Sequence, residues 1–378
     1  MPLTPLDHQR LLEALALAES SFGLTEPNPR VGCIIGTEDG QILGRGATQQ
    51  AGGPHAEVMA LRDAQAAGHA LQGATAWVTL EPCAHHGRTP PCCDALIAAG
   101  IVRVVAALGD PFPQVNGAGM ARLRAAGVDA VLADGDIAVA AAFINCGFLS
   151  RVQRGRPWVR VKVAASLDGR TALPNGRSQW ITGEAARRDG HAWRRRASAV
   201  LTGIGTVRAD NPRLDVRLVP TAAQPLRVVL DSQFMLKADA AIAAPPGRLL
   251  LVGAVGVDQA DQRLAEQGVS LLSLPGPDGR VDLGLLLQTL AAQGVNELHV
   301  EAGAVLNGAL LAGGWVDEVL MYLGPMLLGP GRPMADWPAL QSLDEAVALQ
   351  VQDVIRLGPD VRLRAFTAAG QALLQQAV

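Results

Sequence analysis

Three side chains able to bind a soft divalent cation, His55, Cys83 and Cys92, lie on three separate segments, and a carboxylate, Glu57, stands two residues from the histidine. If they serve one centre, the fold must bring the ends of different elements to a point. In a regular helix residues two apart point to nearly opposite sides, so His55 and Glu57 cannot address one metal-held water from mid-helix. They must open a helix, and Gly52-Gly53-Pro54 supplies the turn before it. Cys83 follows a predicted strand and Pro82, and Cys92 follows Pro90-Pro91 at another helix start. Helix N-termini favour thiolate over thiol, the form that zinc binds. Three protein ligands leave one tetrahedral position for a water whose pKa the metal lowers. Glu57, outside the ligand shell, can take that proton and pass it to a departing amine, so the set points to hydrolytic deamination of a ring carbon.

Taken singly, cysteines are mostly inert core residues and a lone histidine is mostly packed or solvated. Cys33 and Cys146 keep that reading. Cys93, adjacent to Cys92, is either a substitute ligand or a core residue, and core is favoured. An odd count of five cysteines in 378 residues argues against a disulfide framework.

The chain is long enough, at 49% apolar residues, for two globular units. Thirty-two basic against 35 acidic side chains leave a net charge of -3, without the positive excess that broad affinity for nucleic acid or anionic lipid needs. No basic region precedes an apolar run at the N-terminus, and no bilayer-length apolar stretch follows, so the expected location is the cytoplasm with no membrane partner. Oligomeric state is left open, a homo-oligomer included. Helices are predicted from Thr4 to Ser20, Ala56 to Ala66, Pro91 to Ala99 and Ala118 to Ala126. Strands are predicted at Val31 to Ile35, Gln41 to Leu43, Ala74 to Leu80, Val102 to Ala107 and Ala130 to Leu132, an α/β layering. The charged, Gly- and Pro-containing run Arg151 to Pro157 sets the boundary between domains 1–150 and 151–378. A second α/β series follows, with helices over Glu184 to Arg196, Leu283 to Gln293 and Ala304 to Leu311.

The His-x-Glu and Pro-Cys elements resemble the zinc-dependent cytidine-deaminase superfamily, with one departure: eight residues, not two, separate Cys83 from Cys92. That insert, with Glu81-Pro82-Cys83 before it and Pro27-Asn28-Pro29-Arg30-Val31-Gly32 upstream, is similar to the pyrimidine deaminase of bacterial riboflavin biosynthesis. The resemblance implies a cytidine-deaminase-like α/β/α sandwich holding one Zn2+, and makes Asn28 a substrate-facing residue. It also places His85 and Arg88 on the phosphorylated ribose, although a solvated loop pair is an equal physical reading of His85 and His86. Glu81 reads as loop support.

The second half lacks a dinucleotide fingerprint after Gly203-Ile204-Gly205 and a Walker lysine after Gly303. Its ordered motifs, Val161 to Arg170, Ser178 to Thr182, Ala209 to Pro212 and Val300 to Gly303, resemble the riboflavin-pathway reductase, which has a dihydrofolate-reductase-like fold and uses NADPH. The resemblance assigns Ala164, Trp180, Thr206, Asp210, Ser232, Gly303, Ala304, Val305, Leu306, Asn307, Gly308 and Ala309 to the cofactor. It assigns Ser178, Arg194, Leu214, Arg217 and Glu301 to the substrate. Lys162 and Glu301 are the ionisable candidates for protonating substrate as the ribosyl group opens and accepts hydride. Asp168 reads as a turn residue, and Arg187-Arg188 with Arg194 to Arg196 as a solvated helix face from which only Arg194 turns to a phosphate.

The two motif sets together imply a bifunctional riboflavin-biosynthesis enzyme. It would deaminate 2,5-diamino-6-(5-phosphoribosylamino)pyrimidin-4-one with zinc, then reduce the ribosylamino side chain to ribitylamino with NADPH. Two readings compete with it. One is a nucleic-acid base deaminase with a non-catalytic C-terminal binding module. The other is a structural zinc whose shell Cys93 or His85 closes.

Overall fold

Thr4 and Asp7 set the start of the first helix, α1 (Pro5–Ser20): Thr4 Oγ1 accepts from Asp7 N at 3.1 Å, and Asp7 Oδ2 accepts from Thr4 N at 2.9 Å. Asp7 is also a tertiary anchor, accepting from Trp77 Nε1 at 2.7 Å and Arg103 Nη1 at 2.6 Å. Burial alone would raise its carboxyl pKa, but these donors outweigh it and hold the group well below the usual carboxylate range.

The computed structural model describes residues 3–85, 90–112 and 116–378, and the chain divides into two units, Met1–Arg154 with Leu373–Val378, and Gly155–Ala372. After α1 the first unit runs β1 (Gly32–Gly36), β2 (Ile42–Ala47), α2 (Ala56–Ala66), β3 (Thr75–Val78), α3 (Cys92–Ala98), β4 (Arg103–Ala106), α4 (Ala118–Ala125), β5 (Asp129–Leu132), α5 (Gly135–Ile144) and α6 (Cys146–Arg154). Its sheet has the order β2-β1-β3-β4-β5, antiparallel at β1 and parallel from β3 to β5. Gly44 and Gly46 let α2 press onto β2, because a Cβ at either would meet a backbone oxygen of α2 at 2.2 Å. Residue 150 lies inside α6, which continues to Arg154. No single helix among the described residues is long and apolar enough to cross a membrane, and the apolar pair α5 and α6 is bent by 78°.

The second unit runs β6 (Trp158–Ser166), β7 (Arg170–Ala172), α7 (Glu184–Arg196), β8 (Ala199–Gly203), α8 (Ile204–Asp210), β9 (Leu226–Leu230), β10 (Leu249–Gly253), α9 (Gln262–Glu266), β11 (Ser270–Ser273), α10 (Leu283–Ala292), β12 (Glu297–Val300) and α11 (Ala304–Ala312). It ends with β13 (Glu318–Gly324), β14 (Arg332–Pro333), β15 (Leu349–Leu357), β16 (Asp360–Thr367) and the start of α12 (Ala368–Gln376), whose residues from Leu373 on belong to the first unit. Nine strands form one sheet, ordered β11-β10-β9-β8-β12-β6-β13-β16-β15 and parallel as far as β13.

Alternation along β6 and β12 splits the residue types between faces. Val159, Val161, Val163, Leu298 and Val300 join the apolar core with Leu286, Leu290 and Leu310 of α10 and α11. Arg160, Lys162, Glu297, His299 and Glu301 line the other side, where α7 lies. Arg160, fully buried, reaches Glu297 at 2.9 Å and Glu318 at 2.8 Å, with its guanidinium 4.4 Å over the Trp193 ring of α7. Arg196 donates to Glu297 at 2.9 Å and Arg194 to Glu301. The expected solvated arginine face of α7 is therefore corrected: Arg188 is exposed, but Arg194 and Arg196 turn inward because carboxylates of β12 await them.

Candidate active sites

In the first unit His55 is the N-cap of α2, with extended backbone, and Glu57 follows in the first turn. Pro91 caps α3, so Cys92 is that helix's first residue, and Cys83 lies on the turn after β3. These three ends converge. His55 Nδ1 lies 3.3 Å from Cys92 Sγ and 3.7 Å from Cys83 Sγ, and the three ligand atoms all lie within 4.8 Å of one another. Cys92 donates to the Cys83 sulfur from its backbone N–H at 3.3 Å and from its thiol, which holds Cys83 down to about 4 and drives Cys92 up. The contact with Cys83 raises the His55 pKa. One imidazole nitrogen and two sulfurs, converged and half-buried to buried, are a donor set that fits Zn2+.

Glu57 is 4% exposed and outside that ligand group; burial, and then the Cys83 charge, push its carboxyl up to about 7. Cys93 points elsewhere, its Sγ facing the carbonyls of Pro82 at 3.3 Å and Gly119 at 3.5 Å. His85, half-buried, sits 6.4 Å from the Phe112 ring, centroid to centroid. Among the described residues neither closes the shell, so three ligands remain. Arg88 lies outside the described residues.

Glu81, 4% exposed, accepts four backbone N–H groups: Asp110 at 3.2 Å, Gly117 at 3.0 Å, Gly119 at 2.9 Å and Met120 at 3.1 Å. It pins the entry of α4 against the turn carrying Cys83, where a Cβ at Gly119 would stand 2.0 Å from Pro82 O. Asn28, half-buried, is on the loop before β1. Its neighbour Arg30 is locked there by Asn145, which accepts from Arg30 N at 2.8 Å and donates to Arg30 O at 3.0 Å.

The second unit holds a cavity of about 1460 Å³, larger than the usual few hundred to 1,000 Å³ of a single small-ligand site. Lys162, Ala164, Trp180, Thr206, Asp210, Ser232, Gly303, Ala304, Val305, Leu306 and Ala309 line it, as do Ser178, Arg194, Leu214, Arg217 and Glu301. Asn307 and Gly308 do not: Asn307 Nδ2 donates to Met334 O at 2.9 Å, and a Cβ on Gly308 would meet Asp336 O at 2.0 Å. A contiguous run on a helix cannot all face one side, and these two turn away. Thr206 and Asp210 lie on α8. Leu214 lines the cavity with φ 53°, a left-handed backbone uncommon for a branched residue. Trp180 is 67% exposed, with Arg187 4.4 Å over its ring.

Glu301 is the hub of the polar wall. Arg194 clamps it with both Nε and Nη2, Lys162 Nζ stands 3.6 Å away, and His299 Nε2 lies 3.5 Å away. Burial would raise the Glu301 pKa, but Arg194 and Lys162 outweigh it and hold the carboxyl well below its ordinary value. Burial lowers the His299 pKa. Arg194 Nη1 also donates to Asp215 O at 3.0 Å, so this arginine, expected to turn to a phosphate, is spent on protein acceptors. Sequence reasoning did not single out Asp215, which bonds Arg217 at 2.5 Å, or Tyr322, the chain's one tyrosine, which lines the cavity. The alternation of β13 was the available signal for Tyr322.

Residues 5–108 match the family model for the cytidine and deoxycytidylate deaminase zinc-binding region, and residues 157–363 match that for the RibD C-terminal domain. The chain is 45% identical over 370 residues to the riboflavin biosynthesis protein RibD of Escherichia coli strain K12, covering 94% of this chain and 98% of that protein. Among solved structures, it is similar to Acinetobacter baumannii RibD, with a TM-score of 0.84 and 42% identity over 96% of this chain and 99% of that one. A diaminohydroxyphosphoribosylaminopyrimidine deaminase/5-amino-6-(5-phosphoribosylamino)uracil reductase from Thermotoga maritima aligns with a TM-score of 0.86 and 30% identity, again over 96% and 99%.

Proposed function

The chain belongs to the RibD family of bifunctional riboflavin-biosynthesis proteins, a zinc deaminase joined to an NADPH-dependent reductase, and from that premise we propose which of its residues act, and on what. The substrate of the first half is the phosphoribosylamino-diaminopyrimidinone, and its deaminated product is the substrate of the second, with both reactions in the cytoplasm. The full-length similarity to the Thermotoga protein supports this pair of substrates. The base deaminase with a non-catalytic C-terminal module is not supported, because residues 157–363 match the reductase domain.

In the first half the observation that carries the reading is the convergence of His55, Cys83 and Cys92 beside a buried Glu57. Zinc held by those three residues supplies Lewis acidity that makes water a nucleophile near neutral pH. Glu57 takes the proton of the attacking water on its carboxylate and returns it to the departing amine nitrogen. Asn28 and His85 are proposed substrate contacts.

In the second half NADPH supplies the hydride when bound. Glu301 stays ionised beside Arg194 and Lys162, so it cannot act as the acid. Lys162 is then the proton donor as the ribosyl ring opens, and Glu301 orients it. Expected for Glu57→Gln is retained zinc and retained reduction with deamination lost by about 100-fold or more. Zinc loss in that variant would make Glu57 a ligand, and undiminished deamination would remove it from the mechanism.

A further inference from the structure

Lys162 must point its ammonium at a reacting atom, yet Glu301 alone would draw it along the salt bridge into the wall. A second group holds it as well: Lys162 Nζ lies 5.7 Å over the Tyr322 ring. That is within the range at which a ring face attracts a cation. Tyr322 is 1% exposed, and its ring is fixed from behind by Asp189 of α7, which accepts the phenol hydrogen at 2.6 Å. Asp189 is fixed in turn by Arg362 of β16, at 3.0 Å.

We infer that Tyr322, locked through Asp189, is a positioning residue for reduction: its ring face seats the Lys162 ammonium toward the cavity against the pull of Glu301. The proposal rests on Lys162 being the proton donor. The phenol itself is not the acid, because its hydrogen is committed to Asp189, and burial with that carboxylate raises its pKa. Removing the side chain of Tyr322 also removes the phenol donor of Asp189, which keeps Arg362 at 3.0 Å, while the pairing of Glu301 with Arg194 is left in place.

The test uses the full zinc-loaded chain. Tyr322→Leu is expected to lower kcat for reduction about tenfold with little change in KM and an unchanged Kd for NADPH. The unchanged Kd for NADPH reports an intact second unit, and deamination by the same preparation serves as the concentration reference. Tyr322→Phe, which keeps the ring, should recover most of the rate. Because Tyr322 is the chain's one tyrosine, phenolate absorbance reads it directly, and no ionisation is expected near the ordinary value of about 10. Tyr322→Leu with parent kcat, or a Phe variant as impaired as Leu, would overturn the proposal. Lys162→Gln separates the two ideas: if it still reduces substrate, the proton-donor assignment fails; if it is inert while Tyr322→Leu is normal, only the seat fails.

Discussion

Replacing Glu81 by Gln tests how the deaminase metal turn is held. The substitution preserves shape and replaces one acceptor oxygen with an amide nitrogen. Whichever way the amide is set, two of the four backbone N–H groups now face a donor: Asp110 and Gly117, or Gly119 and Met120. A buried donor left unsatisfied costs about 1–3 kcal/mol, and because Gly117 is exposed the cheaper setting leaves one buried donor, Asp110, so the first unit should lose about 1–3 kcal/mol. The loss is local to the entry of α4, which presses on Pro82 and receives the Cys93 thiol. Zinc should therefore dissociate faster from Glu81→Gln, while reduction, performed by the other unit, continues. The assay is denaturant unfolding followed by loss of deamination, with zinc release to a chromophoric chelator and reduction as the internal control. A midpoint corresponding to less than about 1 kcal/mol of change would refute the reasoning and mean that solvent, not Glu81, satisfies these amides.

Two further outcomes follow from the second unit. Arg160→Met removes the cation that Glu297 and Glu318 share in a dry layer, where Glu297 keeps Arg196 and Glu318 keeps the Trp158 N–H, so unfolding should show a loss of up to about 3–5 kcal/mol, partly restored by adding Glu318→Gln; a single variant within about 1 kcal/mol of parent would contradict this. His191 is pushed down to about 4 by burial and then by Arg194 and Arg217, and it accepts the Arg217 N–H at 3.1 Å. It is neutral when folded but would protonate below about 6.5 when unfolded, so its contribution is complete above about 6.5 and is lost as pH falls towards 4; His191→Gln should flatten that slope in a series of Tm against pH.

What was legible in the chain depended on how local the cause was. The start of α2 was readable because a Gly-Gly-Pro turn and the His-x-Glu spacing allow one solution, and α7 was readable from its charged, periodic run. Helix α5 escaped notice because its Ala- and Ile-rich stretch has little polar contrast to set a period. Strand β15 is exposed at most of its positions, so no inside-outside alternation marks it. The candidate zinc ligands could be named from residue types and their placement at helix starts, but the four amides on Glu81 come from residues 29 to 39 positions away and cannot be foreseen. The inward turn of Arg194 and Arg196 likewise depends on carboxylates about a hundred residues later. The resemblance supplied a contiguous cofactor segment, and helix geometry then sorted Asn307 and Gly308 out of it.

The charged layer between α7 and the strands bears on how the second unit responds to temperature. Where most helix-on-sheet seams bury hydrocarbon, this one buries guanidinium and carboxylate, and exposing polar groups to water lowers the heat capacity of the unfolded chain while exposing hydrocarbon raises it. Its unfolding thus carries a smaller heat-capacity increment than an oily seam of equal extent. The stability curve of this unit is correspondingly broader, and the wall holding Lys162 and Glu301 keeps its shape over a wider range of growth temperatures than its apolar content alone would allow.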